Sequence, residues 1–141
     1  MKLCHKYFSW MLLAGLFACR SSPEPMFQLL ENEKTGVDFV NSVKPSPEFN
    51  IFSYMYFYNG GGVGAGDFNN DGLVDLIFTA NQTADRLFLN QGNMKFKDVT
   101  DAAGLGAIKG WHTGVSVVDI NQDGLLDFYV SCVAKYSGAG S

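Results

Sequence analysis

Short apolar segments alternate with polar loops along residues 49–133 of the chain. Residues 49–58 are aromatic and β-branched with few helix-favouring side chains, which predicts a strand. Residues 86–90 and 94–99 flank a Gly-containing loop, a pattern typical of a β-hairpin. The apolar runs at 73–79 and 125–133 lack helical periodicity, so we predict further strands there. The pattern as a whole predicts an all-β protein.

An internal repeat underlies this pattern. Residues 62–79 read GVGAGDFNNDGLVDLIFT and residues 114–131 read GVSVVDINQDGLLDFYVS, so that eight of 18 positions are identical at an offset of 52 residues. Each period holds roughly four strand-like segments, which is the content of one β-propeller blade. The repeat therefore predicts a β-propeller of which about two blades are present.

Each copy of the repeat contains a loop of alternating oxygen-bearing residues. Positions 1, 3, 5 and 9 carry Asp, Asn, Asp and Asp, position 6 is Gly, and position 7 is a Leu whose backbone carbonyl can bind a cation. The predicted ligands are Asp67, Asn69, Asp71, Leu73 and Asp75 in the first loop and Asp119, Asn121, Asp123, Leu125 and Asp127 in the second. Oxygen-only ligands with three carboxylates favour a hard cation, and calcium tolerates irregular geometry better than magnesium does. We therefore predict two calcium sites.

The same loops and glycines partly match three other motifs: an EF-hand, a metal-free turn and a dinucleotide fingerprint. An EF-hand requires Glu at position 12 between helices, whereas Phe78 and Val130 occupy that position. A metal-free Asn-Asp-Gly turn is the simplest alternative. The repetition of the loop and an Asp at position 9, where a strand should be apolar, favour the metal. A dinucleotide fingerprint at residues 60–65 is rejected because residues 69–72 would stop the helix that it must open. These glycines are instead predicted to allow close strand packing or a tight turn.

The N-terminus has the pattern of an export signal. Lys2 and Lys6 precede an apolar stretch over 7–18 that is too short to span a bilayer. The signal ends in Leu-Phe-Ala-Cys, which resembles the bacterial lipobox and predicts lipidation of Cys19. An ordinary secretory signal and a short buried helix are the alternatives. The predicted organisation is a lipoprotein signal peptide over 1–18, a tether over 19–34 and a partial propeller over 35–141.

Charge and cysteine content narrow the function classes. The 141-residue chain has 10 Lys and Arg against 14 Asp and Glu, a net charge of −4 that becomes −6 when the signal is removed. This balance argues against nucleic-acid binding, which needs clustered positive charge. With Cys4 in the signal and Cys19 carrying lipid, Cys132 has no disulfide partner and is predicted to be a buried small hydrophobe. Trp111 beside His112 could stack on a sugar, but packing between blades is favoured.

The motifs together resemble the FG-GAP/VCBS repeat proteins. The resemblance is carried by residues 56–75, by RLFLNQGN at 86–93 with FKDVTDAAGL at 96–105, and by WHTGV at 111–115. The chain is similar to the subgroup that has an ASPIC/UnbV domain and includes the cartilage acidic proteins. The resemblance covers roughly residues 35–133. The resemblance implies a seven-bladed, integrin-like propeller exported to the cell surface, with calcium loops between strands. Because the chain has room for little more than two blades, we expect it to be the N-terminal part of a longer protein.

Two function classes follow from these patterns. The first is a calcium-stabilised binding module for a protein or glycan, held by a lipid anchor in the cell envelope, outer membrane or cell surface. The alternative is a secreted propeller enzyme whose catalytic residues lie beyond Ser141. The sequence offers no paired carboxylates outside the loops and no Ser/His/Asp set, which favours the binding module.

Overall fold

The computed structural model describes residues 25–108 and 110–133. The predicted signal peptide, Cys19 and residues 134–141 lie outside this part of the chain. The described elements are α1 (Asn32–Thr35), β1 (Val63–Gly66), β2 (Asp75–Phe78), β3 (Arg86–Asn90), β4 (Phe96–Asp98), a 3₁₀ helix (Leu105–Ala107), β5 (His112–Val118) and β6 (Asp127–Cys132). Within the described residues, no helix has the length and apolarity needed to cross a membrane.

The strands form two antiparallel sheets. One contains four strands in the order β1-β2-β3-β4, and the other pairs β5 with β6. The predicted hairpin is confirmed, since β3 and β4 pair antiparallel with Leu89 opposite Lys97. Strands also follow both repeated loops, as predicted, because β2 and β6 each begin at the position-9 Asp. The described residues therefore form a mostly β, all-antiparallel fold, and their two sheets do not close into a ring.

The strand predicted over residues 49–58 is wrong, because this segment folds into consecutive turns. Its backbone bonds are local: the N–H groups of Ser53 and Tyr54 both donate to the carbonyl of Asn50, and Phe57 N–H donates to Tyr54 O. The Asn50 side chain donates to Ser46 O at 2.8 Å and supports the first turn. Asn favours such turns by bonding nearby backbone groups. Local hydrogen bonds have thus prevailed over the strand propensity of the aromatic residues.

The aromatic residues of this segment pack around Trp111, which is 1% exposed. Its ring lies 4.9 Å from the Phe49 ring at an edge-on angle of 79° and 5.0 Å from the Phe57 ring. Tyr54 adds a third edge-on contact at 6.0 Å. Edge-to-face pairs at such distances are favourable beyond the area that they bury. Trp111 is therefore a packing residue and is too buried to stack on a sugar. Its packing between blades stays a prediction.

Glycines allow β1 to lie close against β5. A Cβ on Gly64 would come within 2.7 Å of Ile77 Cγ2 and 2.9 Å of Val117 Cγ2. A Cβ on Gly66 would come within 3.0 Å of Val117 Cγ1. The close-packing prediction for this glycine-rich segment is thus confirmed. Since β1 is a strand rather than a helix, the rejection of a dinucleotide-binding turn is also confirmed.

Candidate metal centre

The first repeated loop joins β1 to β2. The antiparallel pair Gly66 and Asp75 closes its base, so that the loop begins at Asp67 directly after β1. Gly72 has φ +85°, the left-handed conformation predicted for the sharp bend. Asn70 is also left-handed, with φ +57°. Two left-handed positions within three residues curl the backbone tightly and turn successive side chains toward the inside of the loop.

The first three predicted ligands meet along the inner side of this curl. The Asp71 N–H donates to both Asp67 Oδ1 and Asn69 Oδ1, each at 3.1 Å. Asp67 Oδ2 accepts the Gly72 N–H at 2.8 Å, and Asp71 Oδ1 accepts the Leu73 N–H at 2.8 Å. The side-chain oxygens of positions 1, 3 and 5 are thus gathered beside three consecutive backbone amides.

Asp75 fixes the loop to the sheet. It is 0% exposed, and its two oxygens accept the N–H groups of Phe68 at 3.0 Å and Asn90 at 2.7 Å. A buried carboxylate needs such partners, since burial without them is costly. These bonds tie the start of the loop and the end of β3 to the first residue of β2. The carboxylate has further lone pairs beyond those that the two N–H groups use.

The second loop, between β5 and β6, repeats this arrangement bond by bond. Asp119 accepts the Asp123 and Gly124 N–H groups at 3.2 and 2.9 Å, and Asn121 Oδ1 also accepts the Asp123 N–H at 3.1 Å. Asp123 Oδ1 accepts the Leu125 N–H at 2.8 Å. Gly124 is left-handed at φ +87°, as Gly72 is in the first loop. The repeat in sequence is therefore a repeat in three dimensions.

The two loops differ at position 9. Asp127 Oδ2 accepts the Ile120 N–H at 3.0 Å, as Asp75 does with Phe68. In the described residues, however, no third strand follows β6 to supply the bond that Asn90 gives to Asp75. Asp127 is accordingly partly exposed, whereas Asp75 is buried. The position-9 carboxylate therefore accepts two backbone N–H groups in the first loop and one in the second.

The loops carry negative charge without a cationic partner. Among the described residues, Arg86 forms an ion pair with Asp98, and His112 forms a hydrogen bond with Asp85. Neither pair lies in a repeated loop. The Leu125 N–H and then the Asn121 amide hold the pKa of Asp123 below its ordinary value by bonding to the carboxylate. Hydrogen-bond donors of the loop itself thus stabilise the ionised form.

The donor chemistry fits a hard cation such as calcium, with three carboxylates and one amide oxygen in each loop. In the described part of the chain, no three Asp, Glu, His or Cys side chains converge so as to hold a metal. The carboxylates are instead bonded to backbone amides of their own loop. Leu73 and Leu125, the predicted carbonyl ligands, are 37% and 49% exposed. Calcium binding by these ten residues stays a prediction.

Sequence reasoning missed a polar cluster outside the loops. His112 Nδ1 lies 2.8 Å from Asp85 Oδ2, with both residues buried. Cys132 faces His112 across the β5–β6 pair. The prediction that Cys132 is buried is wrong, since its side chain is exposed near the end of β6. The alternation of residues along two paired strands could have suggested that His112 and Cys132 are neighbours. That inference requires the strand register, which the sequence does not show.

Residues 67–130 match the sequence model of a family described as an FG-GAP-like repeat. The match begins at the first residue of the first loop and includes the whole of the second loop. A search of curated proteins finds none that matches the chain.

Proposed function

We propose that this chain is part of an exported, calcium-stabilised β-propeller that acts as a binding module at the cell envelope. The observation that carries the proposal is the pair of loops, 52 residues apart, that share their ligand order and their internal hydrogen bonds. The FG-GAP-like match over both loops supports a propeller-type binding module. Repetition of one strand-loop-strand unit is what a blade architecture requires.

In this proposal each loop holds one calcium ion. The side chains of positions 1, 3, 5 and 9 would bind it, together with the carbonyl of Leu73 in the first loop and of Leu125 in the second. The ion supplies two positive charges to a loop that carries three carboxylates, so the local charge falls from −3 to −1. The carboxylates would then no longer repel one another, and the end of each strand pair would be held rigid.

Rigid loops suit a module that recognises a protein or a glycan. The turn segment over 49–58 adds an apolar surface. Four of its large side chains do not pack on Trp111 and face solvent: Phe52, Met55, Tyr56 and Tyr58. Aromatic residues and Met are enriched at the centres of protein interfaces. Exposed apolar side chains on a protein surface are typical of a site that contacts another molecule.

Calcium-dependent adhesion tests this function. We expect the purified full chain to bind intact bacterial cells or a glycan array in millimolar calcium. Binding should fall at least about tenfold in EDTA, because the folded protein loses the stabilisation that bound calcium provides. The double variant Asp71→Ala, Asp123→Ala should bind weakly with or without calcium. Equal binding of wild type in calcium and EDTA would contradict the proposal.

Membrane attachment through Cys19 is a separate part of the proposal. Each buried CH₂ of an acyl chain contributes about 0.8 kcal/mol, so several chains together anchor stably. Cys19→Ser should abolish acylation and move the protein from the membrane to the soluble fraction. Fractionation of cells labelled with palmitate measures both effects, with Cys132→Ser as the matched control that should stay labelled. An unlabelled wild-type protein cleaved after Ala18 would refute the anchor.

A further inference from the structure

A buried acid and base lie outside both loops. Asp85 is 4% exposed and His112 is 5% exposed, and His112 Nδ1 lies 2.8 Å from Asp85 Oδ2. The second oxygen of Asp85 accepts the Ala80 N–H at 2.8 Å, while the His112 N–H donates to Ala80 O at 3.0 Å. Asp85 and His112 are thus both bonded to the backbone of Ala80, and these bonds fix the orientation of the imidazole.

This pairing leaves a lone pair on the other ring nitrogen. A carboxylate accepts hydrogen bonds, so the His112 ring donates to Asp85 through Nδ1, and Nε2 is the ring nitrogen that can accept a proton. Within the described part of the chain, Nε2 has no hydrogen-bond partner among the side chains and backbone groups around His112.

The free nitrogen and the Cys132 thiol border one small space. His112 and Cys132 are directly paired residues of β5 and β6. A Cβ on Gly110 would lie 2.6 Å from His112 Nε2 and 3.0 Å from Cys132 Sγ. Gly110 therefore packs closely against both groups, and a side chain at this position would push base and thiol apart. The thiol itself is exposed and donates a long hydrogen bond of 3.8 Å to Val133 O.

We propose that Cys132 is a reactive thiol, with His112 as its base and Asp85 as the residue that positions His112, and that it forms mixed disulfides with small disulfides. The ionisable groups at this junction come from three packed segments: Asp85 before β3, His112 on β5 and Cys132 on β6. Carboxylate, imidazole and thiol in this order are the arrangement by which proteins activate a cysteine.

The exchange step balances without another reactant. The Cys132 S–H proton passes to His112 Nε2, and the thiolate attacks one sulfur of a small disulfide. The S–S bond of that disulfide breaks as the new S–S bond to Cys132 forms. The departing thiolate takes the proton from Nε2 and leaves as a free thiol, so that one disulfide is exchanged for another.

Glutathione disulfide is the probe, and the full chain is the protein to use. After alkylation of the remaining thiols and digestion with trypsin, the peptide 110–135 carries Cys132 and no other cysteine. Its rate of glutathionylation is measured from pH 5.5 to 9. At pH 6.5 we expect the native wild type to react at least about tenfold faster than the same cysteine in urea, because His112 Nε2 takes up the thiol proton as the sulfur attacks.

Three variants separate the proposed roles. Asp85→Asn keeps the shape of the side chain, but it should lower the glutathionylation rate at pH 6.5 to the rate in urea. The rate of this variant should then rise with pH as it does in urea. His112→Gln should do the same, and Gly110→Ala should slow the reaction by pushing base and thiol apart. Asp98→Asn, another strand-associated carboxylate, is the matched control and should leave the rate unchanged.

Folding is monitored by thermal melting, so that a variant that unfolds is recognised by its urea-like rate and missing transition. The folded Asp85→Asn or Gly110→Ala protein then carries the test. A wild-type rate and pH profile equal to those in urea would overturn the proposal. A wild-type rate that neither Asp85→Asn nor Gly110→Ala alters would overturn it as well. Neither result bears on the calcium loops, because no loop residue is changed.

Discussion

Trp111→Ala is expected to lower the free energy of unfolding by about 3–5 kcal/mol, the usual cost of truncating a large buried aromatic residue. The Trp111 ring is fully enclosed and contacts the rings of Phe49, Tyr54 and Phe57. Its removal leaves a cavity at the point where the turn segment over 49–58 meets the start of β5. Denaturant unfolding followed by fluorescence or circular dichroism measures the loss.

Phe52→Ala is the matched control for this substitution. Phe52 lies in the same turn segment but is 98% exposed, so its truncation removes almost no packing. We expect a change within about 0.5 kcal/mol, as for surface substitutions in general. If Trp111→Ala were as mild as Phe52→Ala, the aromatic cluster would not be the core that the structure shows. A midpoint change with an unchanged m-value would show that the substitution lowers stability without changing the surface exposed on unfolding.

Calcium is expected to stabilise the protein by an amount that rivals a core residue. Extracellular calcium modules commonly bind at about 10⁻⁴ to 10⁻³ M. At 10 mM calcium, which is about ten to a hundred times such a Kd, each site that binds only the folded state adds about 1.4–2.7 kcal/mol. Millimolar calcium should therefore raise the melting temperature, and EDTA should lower it. Asp71→Ala and Asp123→Ala should each remove part of this gain, with nearly additive losses because the loops lie in different sheets.

Asp71 and Asp123 are the better choices for this test, because each is exposed and accepts a single backbone N–H, from Leu73 or Leu125. Asp75 is a poorer choice, because its carboxylate also holds the N–H groups of Phe68 and Asn90 and its loss would destabilise the calcium-free protein. Asp98→Ala is the control, since this carboxylate pairs with Arg86 on the sheet surface and lies outside both loops. It should keep the full calcium response. Loss of that response in Asp98→Ala would show that the response is not specific to the loops.

Local patterns predicted the repeated part of the fold. The loops and the strands that follow them depend on residues close in sequence, such as the ligand order from Asp67 to Asp75 and the left-handed Gly72. The β3–β4 hairpin has the same local origin. Residues 49–58 were mispredicted because aromatic content indicates burial but not backbone conformation. Here burial is achieved by turns that wrap around Trp111, a partner far along the chain.

The second cluster could not be predicted for a related reason. Asp85 and His112 are 27 residues apart, and the contact of His112 with Cys132 depends on the register of β5 and β6. A register shift lies just beyond His112, so alternation counted from the second loop would not have placed the pair. Gly110 adds a third requirement, because its missing Cβ is visible only once the strands are assembled.

Isothermal titration of the calcium-free full chain with calcium tests the central claim most directly. We expect two equivalents to bind to the wild type with Kd values of about 10⁻⁴ to 10⁻³ M. Asp71→Ala and Asp123→Ala should each bind one equivalent and the double variant none, while Asp98→Ala should bind two. If the wild type gives no calcium heat and its melting curve is unchanged by EDTA, the loops are Asn-Asp-Gly turns without metal, and the calcium-stabilised module is refuted.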